Sequence, residues 1–246
     1  MTRSREFCDS DSRQASPGND HAVADLNLTE LVLRRTRDKL GDPNSWKSPS
    51  GYPDSLALCV IDSIQSLGVR YSTVEHVVQR YRAARPGAAD TDGPAELLST
   101  FDDSGVVDGW ARDIGNRNRT STQPGAPLKA LAIKEAASVV ERAGVSSPEA
   151  LRALGPEQLA EVKAGWLRVS GQRSGISWRY FLMLAGVPGV KADRMICRFV
   201  QNATGKTKPA IAPGVAAQAV AGAALRLNVS ATTLDHAIWR WQSRCG

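Results

Sequence analysis

Hydrophobic positions in this chain of 246 residues recur at helical spacing rather than in alternation. Val74, Val77, Val78 and Tyr81 share one stripe of a 3.6-residue period, which predicts an amphipathic helix over 74–84. A nearly continuous apolar run predicts a buried helix over 54–67. Further helices are read over 31–40, 94–101, 106–114, 127–143, 158–166, 177–185, 215–227 and 234–242, with another beginning near 192. Asn27 or Thr29 suits the cap of the first, Ser147 caps a helix with Pro148 as its first residue, and Thr232 or Thr233 caps the last. No segment shows convincing period-two alternation, so the expected fold class is all-α. Residues 1–24 are polar and mixed in charge and read as a disordered tail, leaving 25–246 as one unit.

A hydrophobic content of 42% supports a real core. No run reaches the ~18 apolar residues that span a bilayer, and the N-terminus lacks the apolar stretch of a secretory signal. The expectation is a cytoplasmic monomer. Cys8, Cys59, Cys197 and Cys245 are far apart and form no CxxC or Cys/His cluster, so no metal or iron–sulfur site is expected. Cys59 and Cys197 lie in apolar helical runs and read as buried thiols. The zinc deaminase pattern and the phosphate loop of NTPases are both missing, which disfavours those classes.

Charge changes the picture. The net +6 is uneven: the segment 163–246 carries twelve Lys and Arg against two acids, Asp193 and Asp235, while the rest of the chain is net acidic. Such concentration suits a phosphate-binding face. At its centre lies a turn, Gly186, Val187, Pro188, Gly189 and Val190, between two helical runs. That is the layout of a helix-hairpin-helix. Gly186 and Gly189 allow close backbone approach, and the N–H groups that open the next helix suit a DNA phosphate. The plainer alternative is a tight turn with a glycine C-cap.

A second segment strengthens the first reading. Ser63, Ile64, Gln65 and Ser66 end the apolar helix over 54–67, before a turn and the amphipathic helix that follows. Together with the hairpin about 120 residues later, and the helical block between, this resembles the helix-hairpin-helix DNA glycosylase superfamily that includes endonuclease III. The resemblance covers residues 26–200 best. It implies a two-lobed glycosylase fold, with a middle lobe over 55–165 and a hairpin-containing lobe from 25–54 plus 166–246. It also implies double-stranded DNA as partner, with Gln65 filling the gap left by an extruded base. Gly186, Gly189, Lys191 and Arg194 would contact the backbone. A monovalent cation at the hairpin is the one cofactor it would admit.

Departures from the family pattern shape the expected chemistry. Lys191 replaces the second hairpin glycine, and Asp193 stands where bifunctional members carry a Schiff-base lysine. The usual catalytic Asp would fall in 208–214, which holds no acid. The implied activity is therefore monofunctional: flipping and hydrolytic excision of a damaged or modified base, leaving an abasic site, in DNA repair or antiviral defence against bacteriophage-type modified bases. Cleavage builds positive charge on the sugar, so a carboxylate is required. Asp193, Asp62 and Asp235 are the candidates, with helix capping as the alternative for Asp193, a first-turn dipole role for Asp235 and a paired core acid for Asp62. Trp178 and Asn118 are candidates for the base pocket, against core packing for Trp178 and a solvated loop for Asn118. A DNA-binding module that has lost catalysis is the non-enzyme rival.

Overall fold

The computed structural model describes residues 17–205 and 209–245. Among them are twelve α-helices: α1 (Pro17–Lys39), α2 (Leu56–Gln65), α3 (Tyr71–Ala84), α4 (Pro94–Asp103), α5 (Val107–Asp113), α6 (Lys129–Arg142), α7 (Pro148–Arg152), α8 (Pro156–Arg168), α9 (Ile176–Leu184), α10 (Arg194–Ala203), α11 (Pro213–Arg226) and α12 (Ala231–Cys245). Extended pairing among the described residues is limited to one isolated bridge, Arg119 with Leu128. The chain is all-α.

Helix α1 starts earlier than its periodicity suggested. Pro17 occupies a first-turn position, and Ala22 and Ala24 propagate a helix anchored further on by buried Val32 and Leu33. Residues 17–24 are therefore helical, and residues 1–16 of the expected tail lie outside the described residues. Asn27 and Thr29, expected as caps, fall inside the helix. Thr29 instead packs on Gly222 of α11, where a Cβ would stand 3.0 Å from the Thr29 side chain. Small residues on α11, including Ala216, Ala219 and Ala223, let the two helices approach closely.

Two hydrophobic clusters organise the molecule. The larger surrounds α2, every residue of which is buried, as expected of a helix apolar on all sides. Ser55 caps it by accepting from the Leu58 N–H. Helices α3, α6 and α9 pack directly on α2. The smaller cluster joins α1, α10, α11 and α12. The division falls at the hairpin after α9, not near residue 165 as expected. Trp166, Trp178, Phe181 and Leu184 all belong to the larger cluster, because the aromatic rings of α8 and α9 pack together facing α2 and α6.

Candidate functional site

The hairpin is the seam between the clusters. Its first half terminates α9: the Gly186 N–H donates to Met183 O and the Val187 N–H to Leu182 O, closing the helix with Gly186 at φ +90°. Gly186 is thus a C-capping glycine, though an exposed one. Gly189 donates its N–H to the Thr232 hydroxyl at 3.0 Å, and a Cβ there would lie 3.2 Å from Met183. The close approach at Gly189 is to the protein's own α9 and α12. At the start of α10, Asp193 accepts from the Met195 N–H at 2.8 Å and the Ile196 N–H at 3.2 Å. The helix start expected to be open to phosphate is occupied by a capping carboxylate.

Between the clusters lies a cleft of about 830 Å³. Ser66 and Leu67 from the end of α2, Tyr71 from α3, Tyr180 and Met183 from α9, Lys191 and Asp193 from the hairpin, and Asp235, His236 and Trp239 from α12 all line it. Arg70 and Arg194 add cationic walls, and Arg194 is exposed.

Lys191 is the central group. Its ammonium nitrogen donates to the Ser66 hydroxyl at 2.9 Å and stands 3.7 Å from the Tyr180 ring centroid. Its backbone N–H donates to Asp235 Oδ1 at 2.9 Å. Burial lowers its pKa, opposed by the carboxyls of Asp193, Asp62 and Asp235. Lys191 therefore points into the cleft rather than outward, because its backbone is held by α12 and its side chain reaches α2.

Three candidate carboxyls take different places. Asp193 lines the cleft while capping α10, so capping and cleft roles coexist. Asp235 lines the cleft from a buried position, and burial, then the charge of Asp193, pushes its carboxyl up to about 8. Asp62 is fully buried and does not line the cleft. Its Oδ2 accepts from the hydroxyls of Tyr52 at 2.9 Å and Tyr71 at 3.1 Å. Its Oδ1 has no partner among the described residues, and burial raises its pKa. Asp62 anchors two tyrosines, one of them a cleft wall.

Gln65 is also fully buried. Its Oε1 accepts from Asn116 Nδ2 at 3.1 Å. In this arrangement it cannot enter a DNA stack, because its side chain faces the protein interior. Trp178, 3% exposed, is packed against Trp166 and Phe181 in the larger core and does not line the cleft. Asn118 sits half-buried in the 115–120 turn, where its N–H donates to Asn116 Oδ1 and its carbonyl accepts from Lys129 N. The cleft residue of that turn is Thr120.

Sequence reasoning missed the aromatic walls. Tyr71 meets Trp239 edge-on at 6.0 Å, and Trp239 stacks on His236 at 5.8 Å. Burial, and then Arg240, lowers the His236 pKa. The signal was present in α12: Asp235 and Trp239 are four residues apart and share a face. Lys129 was missed as well. It is buried, its Nζ donates to the carbonyls of Gln65 at 2.8 Å and Leu67 at 2.6 Å, and it closes the C-terminal end of α2 behind Ser66. Burial, then the nearby Lys191, pulls its pKa down to about 8.

Cys59 is a buried free thiol, and Cys197 is half-buried rather than enclosed. No group of three or more His, Cys, Asp or Glu suited to a metal occurs among the described residues. No described helix is long and apolar enough to cross a membrane. Lys206 and Lys208 of the basic loop, and Cys8, lie outside the described residues.

No curated protein and no solved structure matches this chain. A family match covers residues 30–243, and so takes in both clusters and the whole cleft; the chain belongs to the family described as Domain of unknown function (DUF8548).

Proposed function

We propose that the protein is a monofunctional DNA glycosylase of the helix-hairpin-helix type, which flips a damaged or modified base into the cleft and hydrolyses its N-glycosidic bond. The observation that carries this reading is the contact between Lys191 and Ser66. The two segments on which the resemblance rests, 125 positions apart, meet in one cleft. In the two-lobed arrangement proposed, DNA crosses the seam between the clusters. Arg70 and Arg194 meet the backbone, and a flipped base enters among Tyr71, Tyr180, His236 and Trp239.

The chemistry divides between two carboxyls held in different surroundings. Asp193, fixed by two backbone donors at the start of α10, faces the developing sugar cation. Asp235 retains its proton at neutral pH and donates toward the leaving base. Lys191 binds the adjacent phosphate or the base itself. The cleft, at about 830 Å³, is in the upper part of the range for ligand pockets and leaves room for a bulky substituent on the base. That favours a modified base, such as those of bacteriophage DNA, as the target, and a defence role.

One observation favours a second reading, a DNA-binding module without catalysis: each of the three carboxyls is already engaged in an internal hydrogen bond. Incubation with damaged or phage DNA followed by alkali separates the two. Alkali-dependent strand breaks support the glycosylase; binding without breaks supports the module.

A further inference from the structure

A second cavity of about 310 Å³ lies next to the cleft, on another face of α12. Its aromatic walls are Trp46 and Trp241, and its cations are Lys39, Lys47, Arg240 and Arg244. No acid lines it. Lys39 meets Asp38 at 2.9 Å, whereas Lys47, Arg240 and Arg244 have no carboxylate partner among the described residues. The aromatic walls are fixed. The Trp46 indole N–H donates to Leu40 O at 2.9 Å, and Trp241 meets Phe199 edge-on at 5.9 Å. Both rings remain half-buried, so part of each is open to solvent.

The cavity and the cleft draw on the same two stretches of chain, though they share no lining residue. Lys47 in the cavity is two residues from Pro49 in the cleft wall. On α12, Arg240 of the cavity lies one turn beyond His236 of the cleft. Fixed indoles beside unpaired cations bind a group that is both planar and anionic. A bare phosphate would leave the indoles unused, and an apolar peptide would leave the cations unused.

We propose that the Trp46–Trp241 cavity holds one unstacked nucleotide of a DNA single strand that continues from the cleft, with its base against the indoles and its phosphate among Lys47, Arg240 and Arg244. This extends the DNA reading of the cleft and rests on it for the path of the strand, but its test is separate. The protein is titrated by fluorescence anisotropy with a blunt duplex, the same duplex with a short single-stranded overhang, and a duplex whose overhang consists of abasic sites. The Lys47→Glu, Arg244→Glu double variant is titrated alongside; both side chains are exposed, so the fold is preserved.

The expected result is that a normal overhang tightens wild-type binding at least about ten-fold over the blunt duplex, and that an abasic overhang gives much less. The double variant should lose this gain, with a clearly smaller loss on the blunt duplex. No gain from the overhang overturns the proposal. So does an equal gain from the abasic overhang, which would mean phosphate binding only, or an equal loss on blunt duplex, which would mean a diffuse electrostatic effect. If blunt duplex fails to bind while a free oligothymidylate binds and the double variant abolishes it, the cavity stands and the cleft reading fails.

Discussion

The Lys191 ammonium donates to the Ser66 hydroxyl at 2.9 Å, over the face of Tyr180. This contact spans the seam between the two hydrophobic clusters, since Ser66 ends α2 of the larger and Lys191 enters α10 of the smaller. The amine is desolvated, and the carboxyls of Asp193, Asp62 and Asp235 surround it. The attraction of Asp193, the largest of these contributions, offsets part of the burial cost.

Replacing Lys191 by Met keeps the length of the side chain and removes the buried charge. Because the change leaves the neighbouring carboxyls and the Ser66 hydroxyl without their cation, thermal unfolding of Lys191→Met should occur below the wild-type midpoint. Base release should drop at least about a hundred-fold, as expected on losing a positioned charge in a site shielded from water. A large fall in midpoint with normal release would make Lys191 a structural residue.

Asp235 gives a signed pH dependence. Its pKa rises from 3.8 unfolded to about 8 folded, so between those values the folded protein holds a proton that the unfolded chain has lost. This term makes stability fall as pH climbs from ~4 to ~8. Asp235→Asn removes the titration while the amide oxygen still accepts from Lys191 N, and urea midpoints of the variant should depend less on pH across that window. Lys129 acts with the opposite sign above it. With a folded pKa near 8 against 10.5 unfolded, its penalty is relieved between those values, and stability rises. An unchanged slope in the Asn variant would contradict the assignment of Asp235.

Gln65 is an interior residue bonded to Asn116. Gln65→Ala should cost about 1 kcal/mol of stability through the lost bond to half-buried Asn116, since it also removes a Gln65 Nε2 that has no partner among the described residues. Activity on double-stranded and single-stranded substrates should fall by the same factor. A selective loss on duplex would show that Gln65 leaves the interior on DNA binding.

Arg194 is exposed on the cleft wall and carries none of the packing burden of Gly189. Arg194→Glu should weaken duplex binding with no change in thermal midpoint. The slope of log affinity against log salt should become shallower by about 1 or more. Unaltered affinity and slope would move the DNA path away from α10.

The helical class, most element positions and the hairpin were legible because periodicity, Pro and Gly are local signals. The direction of side chains was not. Gln65 and Trp178 have chemistry that suits DNA, yet Gln65 turns toward Asn116 and Trp178 toward Trp166, because α2 is buried on every face and Trp178 lies on the buried face of α9. The cleft draws on α2, α3, α9, the hairpin and α12, which are separated by up to about 170 positions. No local pattern could have joined Tyr71 to Trp239, or shown that the cap at Asp193 also faces a cleft.

Under the proposed function this cleft releases a base, with Asp193 as the carboxylate at the sugar. Single-turnover release, followed by mass spectrometry of the freed base across damaged and phage DNA, tests it most directly when wild type is set beside Asp193→Asn. The Asn side chain can still cap α10 through its amide oxygen. Wild type should liberate a discrete base and leave abasic sites. The variant should release it at least two orders of magnitude more slowly, a barrier increase of roughly 3 kcal/mol, with DNA binding retained. DNA binding without release of any base by the wild type would contradict the account, and release by the Asn variant at the wild-type rate would remove Asp193 from the chemistry.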